Sequence, residues 1–197
     1  MAKPILIQEH VADDPWKVLV AVALLNKTAG RHAVPTFFDL TARWPTAPAL
    51  AQASPDALER LITHLGLGKS RTKRLIALSQ AYVSDPPQPG ALRPSRCYVQ
   101  ARMLSSETGL LEKVRQRYPP TCASHLPGSG PYALDSYRIF CGPPDEWKRV
   151  MPHDKELVKY IKWKWAVSEL RSWDKLDGPG ESVGISYLRE LTDELQT

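Results

Sequence analysis

The chain has 197 residues, 43% of them hydrophobic, and a formal net charge of +5. That size and apolar content allow one core or two fused helical lobes and exclude disorder as the default, while a mildly basic balance suits a phosphate-facing surface without requiring one. Cys97, Cys122 and Cys141 are odd in number, widely spaced and without a CxxC pair, no secretory-type stretch precedes Asp14, and no run reaches ~18 apolar residues, so a reduced, soluble, intracellular protein without a membrane span, disulfide framework or metal site is expected.

Asp13 or Asp14 caps a first helix with Pro15 in its first turn and Trp16, Leu19, Val20, Ala23 and Leu24 at helical spacing, ending near Gly30. A second helix starts around Arg31 and carries Val34, Phe37, Phe38 and Leu40; a third opens at Ser54-Pro55 and aligns Leu58, Leu61, Ile62 and Leu65. The connector Gly66-Leu67-Gly68 leads into a basic segment, Lys69, Arg71, Lys73 and Arg74, and a helix through Leu75, Leu78 and Tyr82. Between Pro86 and Pro120 prolines interrupt the pattern, which reads as an insertion containing a Lys- and Arg-rich helix from Leu104 to Tyr118.

Leu126-Pro127-Gly128-Ser129-Gly130-Pro131 then predicts a tight turn before a helix over Tyr132 to Cys141, making a hairpin between helices. Gly142-Pro143-Pro144 ends that helix, Glu146 to Met151 reads as extended, and Asp154 caps a last core helix with Leu157, Tyr160, Ile161 and Trp165. Trp163 and Trp165 read as a core stripe with snorkelling lysines. Beyond Ser172 the chain reads as loop and a short amphipathic tail helix. Strand signals are scarce, so the fold class is all-α, with a main domain over residues 1–172, its insertion at about 86–120, and a tail over 173–197.

The glycine turn has a direct physical use: Gly128 and Gly130 let backbone approach a phosphate, and free amides at the next helix start can donate to it. By itself the turn serves equally well as a plain helix connector. Asp154, by its position alone, is an N-cap, a role worth ~1 kcal/mol.

The string from Leu126 to Tyr132 resembles the hairpin of the helix-hairpin-helix DNA glycosylase superfamily. Asp14-Pro-Trp-Lys-Val-Leu19, Leu25-Asn-Lys-Thr-Ala-Gly30, Leu65-Gly-Leu67, Asp135-Ser-Tyr-Arg-Ile-Phe-Cys141 and Glu146-Trp-Lys148 are in turn similar to the glycosylase domain of the methyl-CpG-binding-domain thymine DNA glycosylases. The similarity runs from about Leu6 to Trp165, broken by the insertion. It implies two helical lobes with a cleft between them, and a nuclear monomer acting on double-stranded DNA. The reaction implied is monofunctional removal of thymine, uracil or 5-substituted uracils opposite guanine, as in base excision repair.

The resemblance also implies roles for individual residues. Asp154 becomes the catalytic carboxylate, with Asp135 second choice as a helix-internal, solvated or salt-bridged side chain. Tyr132 stands where backbone-nicking relatives place a nucleophilic lysine, so no lyase step is expected, and it lines the base pocket. Gln8 matches a glutamine that hydrogen-bonds the extruded pyrimidine. Lys27 replaces an inserted arginine, losing its planar stacking group, and Leu67 matches a wedge. Gly128, Ser129 and Gly130 would meet the DNA backbone. No cofactor is implied beyond an optional monovalent cation at the hairpin, and with no cysteine after Cys141 a four-cysteine iron-sulfur cluster is excluded. A glycosylase for another base, and a non-catalytic DNA-binding module using Asp154 only as a cap, are the alternatives.

Overall fold

The computed structural model describes residues 3–104 and 111–196. Among them the chain forms helices α1 (Ile7–His10), α2 (Pro15–Leu25), α3 (Gly30–Arg43), α4 (Ala47–Ala51), α5 (Pro55–Ile62), α6 (Gly68–Ser84), α7 (Pro131–Phe140), α8 (Lys155–Ser168) and α9 (Ile185–Gln196). Two antiparallel ribbons are added, β1 (Tyr98–Leu104) with β2 (Leu111–Arg117) and β3 (Arg171–Asp174) with β4 (Gly178–Ser182). The all-α class therefore holds for the body of the fold.

The start of α2 is fixed locally. Asp14 accepts the amides of Trp16 and Lys17 at 3.1 and 3.2 Å, and Pro15, which has no N–H to satisfy, occupies the first turn. Seven of the eleven α2 residues are buried, because α1, α3, α6 and α7 surround the helix. Trp16 brings a polar N–H into that core and satisfies it on Ser79 Oγ at 3.0 Å. The other enclosed helix is α7, buried from Ala133 to Ile139.

Apolar side chains gather in two clusters. The larger joins α2 to α6 with the N-terminal half of α7; the smaller collects Ile139, Trp147, Val150, Leu157, Tyr160, Ile161, Trp165 and Trp173. Tyr132 packs against both, which puts it at the seam of the two lobes. Trp165 meets Trp147 edge to face at 5.2 Å, in keeping with the expected aromatic stripe, while Trp163 is half-buried beside it.

Several local expectations are corrected. The predicted helix from Leu104 to Tyr118 is absent: Leu111–Arg117 is a strand paired with Tyr98–Leu104, and residues 105–110 lie outside the described residues. The sequence of the ribbon is rich in long charged side chains, and its stretch from Lys113 to Arg117 is exposed throughout, so it has little of the alternation that announces a strand. Glu146–Arg149 is a 3₁₀ turn, not an extended segment. After Ser172 a β-ribbon precedes the tail helix, and Trp173 packs into the second cluster. Phe38 stands 47% exposed because Ala33, Phe37 and Leu40 take the core-facing positions of α3.

Candidate active site

The predicted turn between helices is present and leads directly into α7. Gly128 has φ +86°, a conformation that favours glycine, and a Cβ there would lie 3.0 Å from Cδ of the flexible Arg74 side chain, which would have to shift. The turn is drawn together by Ser129 N–H donating to Leu126 O and Gly130 N–H to Gly128 O, at 3.2 and 2.8 Å. Ser129 Oγ donates inward to Ala123 O at 2.8 Å, so this residue's hydroxyl holds the turn instead of projecting from it. At the start of α7, Pro131 has no N–H, while the Tyr132 and Ala133 amides lie in the first turn and have no acceptor within the helix. The partial positive charge of that helix end adds to the same donors. For a monovalent cation the turn offers the Leu126 and Gly128 carbonyls, each with one lone pair still unused, a neutral oxygen set that fits a singly charged ion.

A cavity of about 160 Å³ opens beside the turn, lined among others by Leu19, Ala23, Asn26, Arg74, Gly128 and Tyr132. Tyr132 connects it to two further polar groups. Gln8, 2% exposed, donates from Nε2 to Tyr132 Oη at 2.9 Å, and its Oε1 is buried without a hydrogen-bond partner. Its neighbour Glu9 accepts from Tyr160 of α8 at 2.8 Å and pairs with Lys3, anchoring the short α1 that presents Gln8.

Asp154 does cap α8, as its position suggested: Oδ1 accepts the amides of Glu156 and Leu157 at 3.0 and 3.1 Å. Its other oxygen makes no hydrogen bond or ion pair among the described residues. The side chain is half-buried and is not among the residues that line this cavity. Its charge is nonetheless close enough to act on the Tyr132 phenol. Burial pushes the Tyr132 phenol well above its ordinary range, the Asp154 carboxylate adds to that rise, and the Gln8 hydrogen bond opposes it.

Asp135 is buried and makes no ion pair among the described residues. It is 4% exposed and accepts from Tyr118 Oη at 2.7 Å, which ties the end of the insertion to α7. Burial raises its carboxyl to about 6 despite the Tyr118 hydrogen bond and the nearby Arg138 charge, and the Asp154 charge adds slightly to the rise. Arg138 itself is paired with Glu146 through a 2.7 Å bond from Nε.

Lys27 and Leu67 lie on separate connectors, the first after α2 and the second before α6. Both are exposed, and both adopt the left-handed backbone region, at φ 60° and 56°. Each such residue costs about 1 kcal/mol or more relative to the usual conformations, so neighbouring contacts must hold it. Those contacts come largely from Arg71, a member of the basic segment; it is 5% exposed and turned inward. No local signal distinguishes it from Lys69, Lys73 or Arg74, because its partners lie up to 45 residues away. A second concavity, lined by Arg93, Arg96, Arg117 and His125, sits where the insertion rejoins the turn.

The model of the HhH-GPD superfamily of base excision DNA repair proteins matches residues 20–176. The chain belongs to that superfamily. This HhH-GPD protein is 32% identical over 155 residues to a methyl-CpG-binding domain protein 4-like protein of Arabidopsis thaliana, 79% of this chain and 27% of that one. It is 42% identical over 67 residues to a thymine-DNA glycosylase of Aeropyrum pernix, 34% and 30% of the respective chains. With a thymine/uracil-DNA glycosylase of Pyrobaculum aerophilum it shares 38% over 72 residues, 36% and 31% of the two. The matched segments thus span about a third or less of these relatives' own lengths.

Proposed function

We propose that the protein is a monofunctional DNA glycosylase that extrudes thymine or uracil mispaired with guanine and hydrolyses its N-glycosidic bond. The observation that carries this reading is Asp154. One of its oxygens is fixed by two helix amides, which locks the side chain, and the other has no hydrogen-bond or ion-pair partner among the described residues. As the C1′–N1 bond breaks, positive charge builds on the sugar, and a fixed carboxylate stabilises it without reorganising. The same oxygen takes a proton from the water that adds to C1′, while the departing base keeps the bonding pair and is protonated in turn.

The remaining groups suit a pyrimidine imide. The unpaired Gln8 Oε1 is a buried acceptor, and the N3–H of uracil or thymine is a donor that cytosine lacks. The Tyr132 phenol cannot form the Schiff base that strand nicking requires. On the DNA side, the Tyr132 and Ala133 amides and Gly128 to Gly130 would receive a phosphate, with Lys27 and Leu67 entering the stack. A mispaired base favours this route, since extruding it costs less than extruding a paired one.

Single-turnover cleavage of duplexes with one G:T, G:U, A:U or G:C pair tests the reading, using the wild type and Asp154→Asn. Asparagine caps helices as well as aspartate does, so the variant keeps its stability while cleavage of G:T and G:U falls by about 10²-fold or more. Full activity in the folded variant would remove Asp154 from the chemistry, and binding without base release from any mismatch would favour a non-catalytic module.

A further inference from the structure

Arg71 is buried to 95%, carries a guanidinium and has no carboxylate partner among the described residues. All four of its side-chain hydrogen bonds go to neutral oxygens on two connectors. Nη1 donates to Leu65 O and Gly66 O at 3.3 and 2.8 Å, and Nη2 to Asn26 O and Thr28 Oγ1 at 3.0 and 2.9 Å. Asn26 and Thr28 flank Lys27; Leu65 and Gly66 directly precede Leu67. Leu67's own carbonyl accepts the Arg71 backbone N–H at 2.9 Å and the Ser70 hydroxyl at 3.1 Å.

We propose that Arg71 is a positioning residue for base extrusion, a clamp that sets Lys27 and Leu67 as a matched pair of prongs. The inference rests on the reading above that these two side chains enter the duplex. A buried cation with only neutral partners is an expensive way to gain stability alone, because an apolar side chain of similar volume would avoid its desolvation. What an apolar side chain could not do is hold two separate loops at once. The planar fork reaches both, and each loop holds its prong in a backbone conformation that a non-glycine residue does not adopt unaided. Lysine, a single point donor, could not span them.

The clamp acts on extrusion and not on bond cleavage, so the two steps are read separately. Wild type, Arg71→Lys and Arg71→Met are compared on a G:U duplex, on the same uracil inside an unpaired bubble, and by the fluorescence of 2-aminopurine placed next to the target. In folded variants the duplex rate falls by about 10²-fold, the cost typical of an ångström-scale misplacement. The bubble rate stays within a few-fold of wild type, and the 2-aminopurine rise on binding is lost.

Equal losses on duplex and bubble, or no loss on either, overturn the clamp. Should both Arg71 variants fail to fold, Thr28→Val removes a single acceptor and is expected to give the same selective loss in weaker form. A wild type that cleaves neither substrate would overturn the glycosylase reading alone, because the fluorescence rise and its loss in Arg71→Lys still report the clamp. A wild type that cleaves without that rise overturns the clamp alone, and one that neither cleaves nor shows the rise overturns both.

Discussion

Gln8 and Tyr132, 124 positions apart, meet through a 2.9 Å hydrogen bond that leaves the glutamine's other polar atom buried and unpaired. An unsatisfied buried acceptor costs folding free energy, which makes a use for it in ligand recognition testable. Replacement by leucine, of similar volume, removes the unpaired oxygen but also the donor to Tyr132 Oη, so the two effects oppose each other and the melting temperature is expected to change little. If Gln8 reads the base, Gln8→Leu will also lower single-turnover cleavage of G:U by roughly 10-fold to 10²-fold, a loss of 1.4 to 2.7 kcal/mol or so for one buried hydrogen bond to the substrate. A variant both less stable and fully active would deny Gln8 that role.

The absence of an amine at Tyr132 makes a second prediction. Borohydride should trap no covalent complex between the wild type and a uracil-containing duplex, whereas Tyr132→Lys should yield one after base release, since lysine can attack C1′ and form an imine. Trapping by the wild type would mean that another amine reaches the sugar and that the enzyme is not monofunctional.

Gly128→Ala tests the turn. The substitution strains a φ of +86° and pushes a methyl against Arg74 Cδ, at a cost of about 1–2 kcal/mol to the folded state. DNA affinity should fall by about 10-fold beyond any loss of folded protein, as the turn's approach to a phosphate is disturbed. Gly184→Ala is the control, because a methyl there meets nothing within 4 Å and the residue lies outside the turn. Fluorescence anisotropy with an uncleavable duplex measures both, and equal affinities for the two variants would place the phosphate contact elsewhere.

Asp135 predicts a pH dependence of stability. Its carboxyl is raised in the fold, from 3.8 to about 6, so the folded state holds the proton more tightly than the unfolded one. The stability this provides is complete below about pH 3.8 and disappears as pH rises through about 6, a swing of up to about 3 kcal/mol. Asp135→Asn cannot ionise and still accepts from Tyr118, so the difference in unfolding free energy between variant and wild type should grow in the variant's favour from pH 4 to pH 7. Denaturant melts across that range supply the measurement, and a flat difference would mean that Asp135 titrates normally.

What could be read from the sequence was mostly local. Asp14 and Asp154 show as caps because the amides they accept lie two and three residues on, and the Leu126 to Pro131 turn shows because its glycines and prolines act on their own backbone. The β1–β2 ribbon does not announce itself, because arginine, lysine, leucine and glutamine are good helix formers and its exposed stretch from Lys113 to Arg117 imposes no period on them. The fork of Arg71, the Tyr118–Asp135 bond and the Gln8–Tyr132 contact depend on pairings between distant segments. The resemblance pointed to Gln8 and Tyr132, but nothing in composition or spacing marks Arg71 as buried.

Tyr132 belongs to both hydrophobic clusters, and this limits how such a scaffold can diversify. Any side chain tried there for a new substrate must also keep the halves of the molecule glued, so gains in selectivity at that ring will come with losses in robustness. Gln8 carries no such double duty, and a lineage acquiring new base preferences would find its easier path through the N-terminal turn.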